Sequence, residues 1–335
     1  MIPPDGHPDI PRPRVRVLLT NLGTPDSPDA PAVRRYLAQF LSDPRVIEIP
    51  RLLWKPILHG IILRIRPSKS AHAYRQVWSE EGSPLAAITA RQARALQDRL
   101  GSGVIVDWAM RYGNPSIAAA IDRLQAAGAT RILLAALYPQ YCAATTASAM
   151  DATFAAIAAK RWQPALRTMP PYHDDPHYIG ALRTHLQAQI DALDFEPQRL
   201  LLSFHGMPQR TLELGDPYHC HCRKTARLLA AEMGLAVDVA FQSRFGRAKW
   251  LEPATDAILK GYPAQGVTRV AIAAPGFSAD CLETIEELGI RGREDFIAAG
   301  GERFARLDCL NDSAPGVDLL DALVRRELAG WWASA

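Results

Sequence analysis

The chain has 335 residues, 48% hydrophobic and 22% charged, a globular balance that excludes disorder as its main character and suits two ordinary domains or one large α/β unit. Its 38 Lys and Arg against 35 Asp and Glu leave a net charge of +3, which gives no global electrostatic case for nucleic acid. No stretch reaches the roughly 18 consecutive apolar residues of a membrane span, and five cysteines without a charged-then-apolar leader argue against a secreted disulfide framework, so a reducing cytoplasm is expected.

In chain order, a Pro-rich start (1–14) reads as a flexible tail, and VRVLLTNL (15–22), stopped by Gly23-Thr24-Pro25, reads as a buried parallel strand. The segment Arg51 to Pro67 is strongly apolar, flanked by Arg51, Arg64 and Arg66, and interrupted by Pro56 and Gly60. It is too broken for one regular spanning helix, leaving a buried helical hairpin or an apolar lip that meets a membrane or a large flat ligand. Ser70 to Leu100 is helical in pattern around a turn at 80–84. Further buried strands are expected at 104–110, 131–137, 199–204, 237–243 and 269–275, with helices at 115–127, 145–161, 175–193, 222–233, 253–260 and 315–329. Strands alternating with helices imply parallel sheets covered by helices.

The two halves echo one another. Gly128 to Pro139 aligns with Gly266 to Pro275, and Met110-Arg111-Tyr112-Gly113 matches Ser243-Arg244-Phe245-Gly246. Gly23 and Gly113 are 90 residues apart but Gly206 and Gly246 only 40, so the first half carries an insertion of about 50 residues near 45–95. The expected division is 15–160 and 161–335, with ligands held outside the carboxyl ends of strands from both halves.

His205 follows an apolar strand and precedes Gly206. A strand-end imidazole can exchange protons near neutrality or bind a metal through a neutral nitrogen, and it can equally be a turn histidine with no chemistry. In Asp280-Cys281-Leu282-Glu283-Thr284-Ile285-Glu286-Glu287, Glu283 and Glu287 are four apart on one helical face. They repel by about 0.2–0.5 kcal/mol unless a cation or proton lies between them. The competing reading is a capping box, Asp280 as N-cap with Glu283 reaching back to its amide and Glu287 merely solvated. His219-Cys220-His221-Cys222 packs four soft ligands together, but not at a structural zinc spacing. Arg111-Tyr112 and Gln242-Ser243-Arg244 follow strands and either touch ligand or form solvated edges. Dinucleotide, P-loop and serine-nucleophile motifs are absent.

LLTNLGTP, SDPRVIEIP, YRQVWSEEGSPL, MRYGNPSI, LYPQYCAATT, SFHGMPQR, FQSRFG, WLEPATD and PGFSADCLETIEELGI occur in this order along nearly the whole chain, and together they resemble the ferrochelatases. The resemblance implies two similar Rossmann-like domains, each a parallel four-stranded sheet flanked by helices, with a porphyrin cleft between. It implies a lyase that inserts Fe2+ into protoporphyrin IX to give haem with release of two protons, iron being substrate and not cofactor. It makes His205 the active-site histidine and Glu283 its acidic partner, both candidate metal ligands, with Glu287 next on an acidic path. Leu22, Trp54, Arg111, Tyr112 and Ser243 become porphyrin contacts, and 51–67 a lip at the inner face of the cytoplasmic membrane. A second copy of the chain is a further candidate partner. Chelatases for cobalt or coproporphyrin, and a non-catalytic tetrapyrrole carrier, are the rival readings. Two departures stand out. Cys281 replaces a histidine of many relatives, and the cysteine-bearing C-terminal extension that holds an iron–sulfur cluster in animal relatives is missing from the sequence. Cys142, Cys220, Cys222 and Cys309 remain as candidate [2Fe–2S] ligands, with free thiols the preferred reading.

Overall fold

A computed structural model describes residues 6, 14–246 and 248–332; the expected tail at 1–14 lies, except for Gly6 and Arg14, outside the described residues. The first half runs β1 (Val15–Thr24), α1 (Ala30–Phe40), α2 (Arg51–Ile57), a π turn over Leu58–Ile62, α3 (Leu63–Val77), α4 (Pro84–Leu100), β2 (Ile105–Gly113), α5 (Ile117–Ala126), β3 (Arg131–Ala136), a π turn over Ala143–Ala147, α6 (Ser148–Ala158) and β4 (Ala165–Thr168). The second runs α7 (Pro176–Asp191), β5 (Arg199–His205), α8 (Gln209–Glu213), α9 (Tyr218–Glu232), β6 (Val237–Gln242), α10 (Thr255–Gly261), β7 (Arg269–Ala273), a π-helix over Glu283–Gly292, α11 (Arg293–Ala298), β8 (Arg303–Arg306) and α12 (Ala314–Glu327).

Two parallel four-stranded sheets result, ordered β2-β1-β3-β4 and β6-β5-β7-β8. The identical order is the structural form of the echo in the sequence. The strands are apolar on both faces because both faces are covered. Alternate residues divide between cores: Val17, Leu19, Leu133, Leu200 and Leu202 join one core shared by the two sheets. Leu18, Ile132 and Leu134 face the helices of the first half, and Leu201, Val270 and Ile272 those of the second. Helix α12 packs on α7 and also on α4 of the first half, and Arg167 Nη1 ties its end through the Glu327 and Ala329 carbonyls.

Three expectations are corrected. β4 and β8 are four-residue edge strands with one arginine in β4, two in β8 and half-exposed faces, so they carry no buried run to find. β4 pairs with β3, which carries the first sheet past the expected division at 160/161. Residues 51–77 are not a hairpin: Pro56 and Gly60 perturb the helix locally into the π turn at 58–62, and the rod continues in the same direction into α3.

Candidate active site

The cleft between the sheets is built on the carboxyl ends of β1 and β5. On the second-half side, β5 buries Leu200, Leu201, Leu202 and Phe204 completely and delivers His205 to the cleft wall. Gly206 is required there, because a Cβ would lie 2.4 Å from the Gln242 carbonyl oxygen. His205 Nδ1 sits 2.7 Å from the Gly206 oxygen. An Nδ1–H that donates to this carbonyl leaves Nε2 with a free lone pair.

Glu283, the first residue of the π-helix, lines the same cleft. The capping box is overturned. The Asp280 amide donates to Asn311 Oδ1 at 2.8 Å, and the Cys281 amide donates to Thr284 Oγ1 at 3.0 Å. The Asp280 carboxylate in turn accepts from Thr284 Oγ1, Arg306 Nη1 and Asn311 Nδ2 at 2.7–2.8 Å and from the Cys309 amide at 3.3 Å. Asp280 thus holds the turn, and the Glu283 carboxylate takes no part in it. The backbone of Glu283 is fixed from the other side by Gln242 Nε2 at 3.1 Å, itself held by Ser203 Oγ at 2.8 Å. Burial first, and the neighbouring Glu283 second, push the Cys281 thiol well above its ordinary range.

Glu287 leaves the cleft for an adjoining cavity. Its two oxygens accept from the Ser243 amide at 2.7 Å and Ser243 Oγ at 2.6 Å. Ser243 has φ +63°, a left-handed conformation costly for a side-chain-bearing residue and stabilised here by those two bonds. Ser243 therefore lines this side cavity with Glu287, and not the cleft that holds His205. Glu286 is clamped by Arg291, with three contacts of 2.8–3.0 Å.

On the first-half side, the end of β1 supplies Asn21, Leu22, Gly23 and Thr24. Asn21 Nδ2 donates to Thr89 Oγ1, and its Oδ1 takes the Leu22 amide, which fixes Leu22 on the cleft wall. Gly23 is obligatory: a Cβ would stand 1.8 Å from the Tyr112 carbonyl oxygen. Tyr36, Tyr74 and Tyr138 complete this wall, and burial pushes all three phenols well above their usual range, so they stay neutral. No sequence signal singled these tyrosines out, since their partners come from distant segments.

Arg111 and Tyr112 do not line the cleft. Arg111 donates to Asp43, to Ser148 O at 2.9 Å and to Ser148 Oγ at 2.6 Å, and the fully buried Tyr112 donates to Asp43 at 2.8 Å. Burial raises the Asp43 carboxyl, but donors from Ser148, the Arg45 amide, Tyr112 and Arg111 outweigh it and hold the group below its ordinary range. The pair belongs to the scaffold behind the cleft and is corrected as porphyrin contacts. Trp54 is likewise corrected: its Nε1 donates to the Leu41 carbonyl at 2.6 Å, and its ring packs with Leu41, Leu58 and Leu63.

The four candidate cluster cysteines do not converge. Cys142 and Cys222 lie in the core shared by the sheets, Cys309 in the separate core of the second half, and Cys220 is exposed. They do not fit a four-thiolate cluster. Among the described residues no group of three or more His, Cys, Asp and Glu is arranged to hold a metal ion. Helical geometry scatters the His-Cys-His-Cys run: His219 stacks on Phe241, Cys220 faces solvent, His221 stacks on His173, and Cys222 enters the core. The His173–His221 stack, at 3.6 Å between centroids, was invisible in the sequence.

Residues 14–328 match the family model described as Ferrochelatase. The chain is 52% identical to a ferrochelatase of Rhizobium meliloti over 97% of this chain and 98% of that one. It is 54% identical to a ferrochelatase of Methylibium petroleiphilum over 95% and 89%. Among solved structures it is similar to SirB from Bacillus subtilis with Fe3+, with TM-score 0.56 and 12% identity over 95% of this chain and 97% of that one. It is also similar to CbiX, described as the terminal enzyme for biosynthesis of siroheme in denitrifying bacteria, with TM-score 0.51 and 15% identity over 94% and 100%. At such identities the structural likeness speaks for the two-domain fold alone.

Proposed function

The chain belongs to the ferrochelatase family, and we propose that it inserts iron in the cleft between its domains with His205 and Glu283 as the reacting pair. It is a chelatase of the lyase class that forms haem from protoporphyrin IX and Fe2+. The observation that carries the assignment of residues is the release of both side chains from structural duty: the Gly206 contact leaves His205 Nε2 open, and Asp280 holds the turn that Glu283 would otherwise cap.

Iron insertion needs two pyrrole N–H protons removed, waters stripped from a hard divalent ion, and a ring bent far enough for its lone pairs to reach the metal. His205 Nε2 is suited to accept protons. Glu283 is suited to replace water on the ion and to pass protons outward, and Glu287 lies one helical turn further along. Leu22, Leu85, Phe277 and Leu282 give the cleft apolar walls whose binding energy is available to bend the macrocycle. Among the described residues, none that lines the cleft is Lys or Arg. Carboxylates carried deep into it would lack partners, at a cost of several kcal/mol each, so a porphyrin with its two propionates on one edge, turned to the mouth, fits better than one with four. The cleft encloses only about 90 Å3, well below the roughly 300–1,000 Å3 of sites that take drug-sized ligands. Porphyrin entry therefore requires the mouth to open.

No described helix is long and apolar enough to cross a membrane. We infer attachment to a membrane surface from the lip, where Leu52, Leu53, Ile57, Ile61 and Ile65 are all exposed on one rod. The deciding experiment is anaerobic conversion of protoporphyrin and Fe2+ to haem, followed by absorbance, with coproporphyrin and Co2+ as competitors. A wild-type preference for coproporphyrin or cobalt would overturn the substrate assignment, and tight porphyrin binding without turnover would overturn catalysis.

A further inference from the structure

The π-helix over Glu283–Gly292 is ten residues long, in a form that is normally a single-turn bulge inside an α-helix. A segment of this length needs side chains that bond across its own spacing. One pair does so: Arg291 Nε donates to the two Glu286 oxygens at 2.8 and 3.0 Å, and Nη2 donates to Oε2 at 2.9 Å. The partners are five residues apart. In an α-helix such residues point about 140° away from each other, whereas the i→i+5 bonds of a π-helix stack them on successive turns. The clamp therefore fits the π register and not the α register.

The α register has its own partner for the same guanidinium. Glu287 stands four residues from Arg291, the spacing at which α-helical side chains meet, and its Oε2 is 3.9 Å from Nη2. Its two oxygens are instead taken by the Ser243 amide and hydroxyl. The Glu286 side chain is 10% exposed and that of Arg291 56%. Losing the clamp strands a buried carboxylate, and that cost opposes departure from the π register. Gly289 seats the helix from another side: a Cβ there would lie 2.8 Å from Arg306 Cδ, and Arg306 in turn holds the Asp280 carboxylate. Glu286 lines neither the cleft nor the side cavity, so its effect on the reaction runs through the helix.

Resting on the assignment of chemistry to Glu283, we propose that Glu286 and Arg291 are positioning residues of iron insertion, whose clamp selects the π register that turns Glu283 to the cleft while Glu287 faces Ser243. Arg291 chooses between two adjacent carboxylates, and its choice of Glu286 leaves Glu287 to Ser243. The register matters to rate because a displacement of about 1 Å in a reacting group costs up to about 100-fold.

The test compares Glu286→Gln with the double variant Glu286→Gln, Arg291→Gln in anaerobic metalation of protoporphyrin, with kcat and the porphyrin KM read separately and folding checked by near-ultraviolet circular dichroism. Both variants remove the buried charge and strand none in its place, so both should fold. Freed from Glu286, Arg291 turns to Glu287 at the α spacing, and kcat should fall at least about 10-fold with the porphyrin KM within about twofold of wild type. Removing Arg291 as well takes away the competing pair, and kcat should recover by about threefold or more. A kcat for Glu286→Gln within about twofold of wild type makes the clamp a plain structural ion pair and overturns the proposal. A loss that the double variant does not relieve shows that Glu286 acts otherwise than through Arg291, and overturns it as well. Glu283→Gln is run alongside: turnover retained there overturns the assignment of chemistry itself, whatever the clamp variants show.

Discussion

Glu283→Gln and Asp280→Ala, three residues apart in the sequence, should give opposite outcomes. The Glu283 carboxylate accepts none of the bonds that hold the turn before the π-helix; those go to Asp280, Asn311 and Thr284. Glutamine keeps the shape and removes the charge, so urea unfolding should move by no more than about 0.5 kcal/mol. Turnover should fall by roughly 10² to 10⁴, the range for a positioned acid or base. Asp280, by contrast, gathers Arg306, Thr284, Asn311 and the Cys309 amide in a site where its side chain is 6% and that of Arg306 22% exposed. Removing it leaves Arg306 with the more exposed Asp308 alone and takes the acceptor from Asn311 Nδ2 and the Cys309 amide, a loss of about 3 kcal/mol. Parallel urea titrations and anaerobic metalation assays on both variants separate the two cases. If Glu283→Gln lost more than about 1.5 kcal/mol while keeping turnover within about threefold of wild type, the carboxylate would be a cap and the assignment of chemistry to it would be wrong.

His205→Ala should leave the fold within about 1 kcal/mol, the worth of its bond to Gly206, and keep porphyrin binding by fluorescence while abolishing metalation; normal metalation by a folded variant removes the assignment. Leu53→Ser with Ile57→Ser and Ile61→Ser should reduce vesicle partition with little effect on unfolding, because all three are exposed; Trp54 is left in place because it anchors the lip to Leu41. Burial first, and the stacked His221 second, lower the His173 pKa to about 4, and His221 is lowered as well. The folded pKa lies below the unfolded value near 6.5, so this contribution is complete above about pH 6.5 and is lost as pH falls from there toward 4, by about 3 kcal/mol for His173. His173→Phe should flatten the acid limb of a stability-against-pH curve, and an unchanged limb would show that the stack does not govern it.

The sequence by itself determined the βα alternation, the duplicated plan, and the strand ends that bring His205 and Leu22 to the cleft wall. Buried parallel strands are written as continuous apolar runs, and a glycine directly after such a run marks a strand end with close backbone approach, so His205-Gly206 and Leu22-Gly23 were legible one residue at a time. The family resemblance supplied the pairing of His205 with Glu283, which spacing alone left open to the capping-box reading. Tertiary structure decided what each polar residue bonds to. Asp280 and not Glu283 holds the turn because Arg306 and Asn311 arrive from β8 and the loop after it. Arg111 and Tyr112 turn to Asp43 and Ser148, 68 and 37 residues from Arg111, although they directly follow a strand core like true cleft residues. Periodicity reports which face of an element is apolar; it carries no information about which distant donor meets a given carboxylate, and that pairing separated scaffold from site in this fold.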